Sequence, residues 1–334
     1  MAMAGIPLML AALLLWLMPQ DEAQPMRYFH DTGTVFGTYY NIRYEASENL
    51  KDGILQRLCE VDTLLSMFNP SSELSRINRG ETIDVSPLFE TVYREARDIS
   101  EMSGGAFDIT VAPLVNYWGF GTGNSKADTP KSKAEIDSIL QFVSYQLMDL
   151  HEHHLYRFDE RLQIDLSAIA KGYACDRVAQ FLSERCANYL VDIGGEVVAE
   201  GVNRQGKPWT VGVTKPVDDT EGSSQELQDT IRTTHIAMAT SGNYRRFYYD
   251  GNEKRSHTID PRTGYPVQHN LLSATVVADN CMRADALATA CMVLGPRYAL
   301  ELIERAGAQA YLIIGTDEGM QVLTSRDWEK KIKN

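Results

Sequence analysis

Cysteine is scarce in this sequence and unpatterned: Cys59, Cys175, Cys186, Cys281 and Cys291 show no CxxC or Cys/His metal spacing, and five cannot pair completely. A thiolate metal site and a complete disulfide framework are therefore disfavoured. Cys59, Cys175 and Cys291 fall within apolar helical patterns, where a cysteine is expected to be a small buried hydrophobe. Positive charge is also in deficit, with 32 Lys and Arg against 45 Asp and Glu, and no basic cluster interrupts the net charge of −13. That argues against an electrostatic hold on nucleic acid or an anionic membrane, and an anionic small ligand would need local cations or a metal. Regular βαβ alternation is missing, as are repeats of about 20–50 residues. So is the dinucleotide fingerprint, because Gly119–Gly123, GFGTG, lacks the further glycine and the helix it requires. Ser241 in TSGNY is not a G-x-S-x-G nucleophile elbow.

No Lys or Arg precedes the apolar run Gly5–Met18, GIPLMLAALLLWLM, and no cysteine follows it directly. The run is short for a membrane span of about 20 residues but suits a signal-peptide h-region, and polar Pro19–Gln24 comes next. We expect residues 1–24 to be a signal peptide or N-terminal leader, a short uncleaved anchor being the alternative. The chain is then exported, and periplasmic or associated with the cell envelope. Lipid attachment has no support without the cysteine, so proximity to a membrane rests on the leader alone.

What is present is an ordinary globular composition, 44% hydrophobic and 23% charged, in a chain long enough for one substantial core or two fused subdomains. Thr34–Tyr44 alternates like a strand, and Leu50, Ile54, Leu55, Leu58, Val61, Leu64 and Leu65 recur at helical spacing. Ser86-Pro87 predicts a helix start, ending near Met102 before Gly104-Gly105, and Ser132 with Glu135 makes a capping-box pattern. Short strands are expected at Leu155–Phe158, Leu162–Leu166, Tyr189–Ile193, Trp209–Val213, Ile231–Ala239 and Phe247–Tyr249, with an Asp250-Gly251 hairpin turn before Arg255–Ile259. Helices are expected at about Ile169–Arg185, Met282–Leu294 and Pro296–Ala306, and a last hairpin at YLIIGTDEGMQVL. Thr214–Gln228 reads as a mobile surface loop, and HEHH at His151–His154 as a polar connection rather than a metal site. This order of elements predicts an α+β fold.

Four blocks carry candidate chemistry, and each has a plain structural alternative. In Ser103–Gly121, SGGAFDITVAPLVNYWGFG, paired glycines permit a close backbone approach while Phe107, Tyr117 and Trp118 offer flat apolar surface to a planar ring. A helix C-cap followed by core aromatics reads the same way. In Ile164–Asp176, IDLSAIAKGYACD, Lys171 falls in a first helical turn, against the helix dipole, which an anion bound at that N-terminus would justify. An Asp165–Lys171 ion pair is the alternative. In Asp279–Gly295, Asp285 and Thr289 share a helical face and offer the hard oxygens Mg²⁺ takes, though both also occur in helices for structural reasons. In ATSGNYRRFYYDGNEKRSHTIDPRTGYP, Ser241-Gly242-Asn243 reads as a backbone-rich turn and Asp260-Pro261 to Gly264 as a tight reversal. His257 stands at a hairpin end on the face shared with Ile259, although a lone histidine is more often structural.

Together and in this order the blocks resemble the FAD:protein FMN transferase (ApbE) family, through GTVFGTYY, SMFNPSSELSRIN, GGAFDITVAPLVNYWGFG, DLSAIAKGYACD, LVDIGGEVVAEG, ATSGNYRRF, SHTIDPRTGYPV and ADALATACMVLG. The likeness covers about residues 30–325. It implies a single ApbE-like domain over 27–330, with antiparallel sheets flanked by helices in two intimately packed subdomains. It further implies that Phe36 and Phe68 contact flavin, that Ala106, Phe107 and Asp108 line an FAD site with Asp165, Lys171 and Ile259, and that Ala168, Asp285, Ala288 and Thr289 hold a metal. The implied reaction is Mg²⁺-dependent transfer of FMN from FAD to a Thr or Ser hydroxyl of an exported redox protein, releasing AMP. Lys171 and the metal at Asp285 would offset phosphate charge, with His257 as base or proton shuttle. Alternatively His257 holds phosphate while Asp285 or the metal orients the hydroxyl. Two other readings remain: an Mg²⁺-dependent FAD pyrophosphatase, with water replacing the hydroxyl and giving FMN and AMP, and a non-catalytic flavin-binding protein.

Overall fold

The computed structural model describes residues 25–121, 131–218, 226–244, 246–251 and 253–332. An eight-stranded sheet runs, edge to edge, through β1 (Arg27–Val35), β2 (Thr38–Ala46), β5 (Tyr189–Ile193), β6 (Glu196–Glu200), β9 (His235–Gly242), β12 (Leu271–Val277), β13 (Gln309–Thr316) and β14 (Gly319–Thr324). Every neighbouring pair is antiparallel. Two-stranded ribbons pair β3 (Met148–His151) with β4 (His154–Arg157), β7 (Trp209–Thr214) with β8 (Leu227–Thr233), and β10 (Phe247–Asp250) with β11 (Glu253–Ser256). Helices flank the sheets, so the fold is α+β as expected.

Successive side chains of a pleated strand face opposite ways, and here both faces are covered. Val191, Ala237, Ala239, Leu312 and Ile314 enter the larger core, shared with α1 (Lys51–Leu65), α3 (Pro87–Met102), α6 (Ala170–Ser183) and α7 (Cys281–Ala306). Leu190, Ile236, Met238, Tyr311 and Ile313 enter a second core, closed by Trp209, Val211 and Ile231 of the β7–β8 ribbon and by Trp328. A third, small cluster joins Leu114 and Trp118, from α4 (Ala112–Tyr117) and its C-cap, to Ile136 of α5 (Lys133–Leu140) and Ile259.

Local chemistry sets the element ends. Ser86 accepts the Phe89 N–H, with Pro87 opening α3, and Ser132 accepts the Glu135 N–H at the start of α5. The capping box at α5 is only half made, because the Glu135 carboxylate takes the Tyr117 hydroxyl instead, at 2.7 Å. The expected helices Met282–Leu294 and Pro296–Ala306 are the two limbs of α7, which bends where Gly295 adopts φ 76°. His269 Nε2 donates to the Met292 carbonyl at that bend, at 2.8 Å. Among the described residues α7 is the helix long and apolar enough to cross a membrane, yet it is mostly buried inside the fold.

Several expectations are corrected. Thr34–Tyr44 is not one strand but the β1–β2 hairpin, turning at Phe36 and Gly37 with φ 52° and 71°, the left-handed pair that matches strand twist. Leu162–Leu166 forms no strand. The Asn78 side-chain amide takes both the N–H and the C=O of Ile164, each at 2.8 Å, and the Asp165 N–H goes to the Ile109 carbonyl at 2.7 Å. Ile231–Ala239 is broken at Thr234, with β8 pairing in the outer ribbon and β9 in the central sheet. His151–His154 is a polar connection as expected, the turn end of the β3–β4 hairpin, in which His153 pairs with Glu90 and His154 with Asp84. Ser241 and Gly242 end β9 rather than forming a turn. Cys59 is exposed, whereas the other four cysteines are buried. The leader 1–24, residues 122–123 of the GFGTG stretch and residues 219–225 of the expected Thr214–Gln228 loop lie outside the described residues; Thr214 and Leu227 belong to β7 and β8.

Candidate active site

A cavity of about 410 Å³ opens at one rim of the central sheet. The β1–β2 turn brings Phe36 to it, the β5–β6 turn brings Glu196, and the end of β9 brings Thr240 and Ser241. The start of α6 adds Lys171, the segment after β11 adds His257 and Ile259, and α7 adds Asp285 and Thr289. Of the residues singled out from sequence, Phe36, Phe68, Ala106, Phe107, Asp108, Asp165, Ala168, Lys171, His257, Ile259, Asp285 and Thr289 line this one cavity. Ala288 is fully buried beside it and is not among the lining residues.

The charged end lies between α6 and α7. Gly172 lets the helices meet, since a Cβ there would stand 2.3 Å from the Cys281 carbonyl oxygen. Asp176 locks the contact, accepting the N–H of Cys281 at 2.9 Å and that of Met282 at 2.8 Å, two donors left free at the start of α7. Asp285 is buried, and its Oδ2 accepts the Gly172 N–H at 3.0 Å. Lys171 Nζ lies 2.7 Å from Glu196 Oε1 and 3.8 Å from Asp285 Oδ1. Asp165 is not its partner, contrary to the simplest sequence alternative; that carboxylate accepts the Ser167 N–H. Burial works against the Lys171 ammonium, but Asp285 and Glu196 outweigh it and hold its pKa above the ordinary lysine value. Burial, aided by Asp285, pushes the Glu196 carboxyl above the usual range against the pull of Lys171.

These groups suit a divalent oxygen-loving cation. Two buried carboxyl groups face one ammonium, and Asp285 Oδ1 stands 3.8 Å from it. The Gly172 N–H, which would close a helical turn on the Ala168 carbonyl, is spent on Asp285, so that carbonyl stands outside the helical ladder. Thr289 lies one turn along α7 from Asp285, its hydroxyl 3.2 Å from Ser241 Oγ. Carboxylate, carbonyl and hydroxyl oxygens form the donor set of Mg²⁺ or Ca²⁺, not of a thiolate-loving metal.

His257 stands at the other side. Its Nδ1 donates to the Arg246 carbonyl at 3.1 Å, which leaves Nε2 with its lone pair. Burial and the Arg246 charge lower its pKa to about 4, so the ring is neutral at pH 7. Arg246 itself donates to the Phe120 carbonyl at 2.9 Å, tying the β10–β11 ribbon to the segment after α4. The rest of the wall is apolar. Phe36, Met67, Phe107, Val111 and Ile259 line it, and Phe68, 67% exposed, stands at its margin. Asp108 is a framework group: Thr110 donates to it through N–H and hydroxyl at 2.8 and 2.7 Å, and the Tyr145 N–H at 2.7 Å. Burial nonetheless pushes its carboxyl up.

The sequence model of the ApbE family matches residues 36–313. The chain belongs to the ApbE family. The FAD:protein FMN transferase of Haemophilus influenzae is 36% identical over 90% of this chain and 90% of its own. That of Escherichia coli K12 is 34% identical over 93% and 92%. Among solved structures, flavin transferase ApbE from Vibrio cholerae superposes with a TM-score of 0.82 at 35% identity, covering 92% of this chain and 99% of that one. Pseudomonas stutzeri flavinyl transferase ApbE gives 0.82 at 28% identity, covering 92% and 98%. Within this ApbE fold, sequence reasoning passed over Glu196, Met67 and Arg246. Glu196 had a signal, being a carboxylate at the head of a short strand, EVVAE, directly after Gly194-Gly195.

Proposed function

We propose that the cavity transfers the FMN half of FAD to a Ser or Thr hydroxyl of an exported redox protein, with AMP as the leaving group. The chain is a flavin transferase, and FAD is its flavin substrate. One observation carries the finer reading: a neutral histidine whose Nε2 keeps its lone pair lines the same cavity as a buried carboxylate–ammonium cluster. The acceptor hydroxyl oxygen attacks the FMN phosphorus, a new P–O bond forms, and the bond from that phosphorus to the AMP oxygen breaks. The hydroxyl proton passes to His257 Nε2, since an alcohol is a weak nucleophile while it keeps its proton. Lys171 offsets charge on the phosphoryl oxygens from the position that its contact with Glu196 fixes. Phe36, Met67 and Phe107 give the isoalloxazine ring an apolar seat and keep water from competing with the acceptor. Asp285, Thr289 and the carbonyls of Ala168 and Ala288 would hold Mg²⁺, which when bound supplies Lewis-acid neutralisation of the diphosphate. The apolar run Gly5–Met18 supports export and hence an acceptor outside the cytoplasm.

The test is a single incubation with FAD, Mg²⁺ and a candidate acceptor domain. Acceptor mass should rise by one FMN phosphoryl group for each AMP released. AMP release with no gain in acceptor mass would make the chain a pyrophosphatase and overturn the transfer reading.

A further inference from the structure

Glu196 has no role in the reaction as described, yet its side chain is only 3% exposed and sits at the charged end of the cavity. It begins β6 directly after Gly194-Gly195, so the tight β5–β6 turn fixes its backbone. One oxygen, Oε1, accepts from Lys171; the other, Oε2, is buried with no hydrogen-bond partner among the described residues. A buried carboxylate oxygen left unpaired is costly, which points to a use for the residue at this place.

That use lies in a competition. Lys171 Nζ has two carboxylates within reach, and it sits at 2.7 Å from Glu196 but 3.8 Å from Asp285. A charge-assisted N–H···O contact closes at about 2.7–2.9 Å, so an ammonium shift of about 1 Å would put Lys171 onto Asp285 Oδ1. Asp285 Oδ2 is already taken by the Gly172 N–H. A collapsed Lys171 would therefore occupy the remaining oxygen and cancel the charge that draws a cation. We propose that Glu196 is a positioning residue that holds the Lys171 ammonium off Asp285, keeping Asp285 open for the divalent cation and the ammonium separate from it. The inference rests on the reading of Asp285 as a cation ligand.

The experiment measures Mn²⁺ binding to the full flavin-free chain through the electron paramagnetic resonance signal of free Mn²⁺. Glu196→Gln should weaken binding by about 10–100-fold, the usual effect of removing a carboxylate that orients a metal ligand. Glu196→Asp should recover part of it. Lys171→Met should bind at least as tightly as the unaltered chain, and adding it to Glu196→Gln should return affinity toward that level, because the competing ammonium is gone. Unchanged Mn²⁺ affinity in Glu196→Gln would overturn the proposal. So would a double variant as weak as Glu196→Gln alone, which would make Glu196 a direct ligand. Asp285→Asn separates the two layers: if it binds Mn²⁺ like the unaltered chain, the cation site itself is wrong.

Discussion

Burial, the Arg246 guanidinium and the Lys171 ammonium together lower His257 to about 4, opposed by the hydrogen bond to the Arg246 carbonyl. A general base works only when deprotonated, so kcat/KM should rise with pH through about 4 and hold above it, where an ordinary histidine would give a limb near 6.5. Arg246→Gln removes one of the charges and should move that limb upward; a limb that stays put would separate Arg246 from the base. His257→Ala should slow transfer by about 10²–10⁴-fold while FAD binding, followed by flavin fluorescence, is kept. An undiminished rate would end the assignment. At this scale the sequence exposed residues that sit oddly: a lysine in a first helical turn, an aspartate among alanines, a histidine beside a turn. It could not expose partnership. Lys171 has Asp165 close by in sequence, but the turn at Asp165 spends that carboxylate on Ser167, and Glu196 reaches the ammonium only because β6 folds back beside α6.

The helix pair α6–α7 is the element on which the charged cluster depends. A methyl group at residue 172 would meet the Cys281 carbonyl at 2.3 Å and the Asp285 Cβ at 2.8 Å, backbone and a short side chain that cannot swing away. Gly172→Ala should therefore push the helices apart and cost about 1–3 kcal/mol, read from the urea midpoint, and should weaken Mn²⁺ binding in step. A variant with unaltered midpoint and metal affinity would refute the close-approach argument. Elements with chemical end signals were legible: Ser86-Pro87 opens α3 and Gly295-Pro296 bends α7. Elements defined by a distant partner were not. The alternation of Leu162–Leu166 looks like a strand, but its backbone is satisfied by the Asn78 side chain. Strand-like patterning on both sides likewise concealed the Phe36-Gly37 turn, which needs only two residues.

For the whole molecule, ligands should count as stability. The cavity draws its walls from the sheet rim, α6, α7 and the β10–β11 connection, so a ligand seated there binds the native chain and not the unfolded one. FAD with Mg²⁺ at about 100 times its dissociation constant should add about 2.7 kcal/mol, seen as a higher unfolding temperature. No shift at saturating FAD would mean that flavin is not held in this cavity.

The site also crosses the strands instead of running along them. From β2, beside the Phe36 turn, to β9, which carries Ser241, the order β2-β5-β6-β9 makes three interstrand steps, about 14 Å at about 4.8 Å each. That interval is built of backbone hydrogen bonds, and no rotamer change alters it. The sheet therefore acts as a rigid spacer that fixes the interval between the aromatic Phe36 turn and the polar Ser241 end of the cavity.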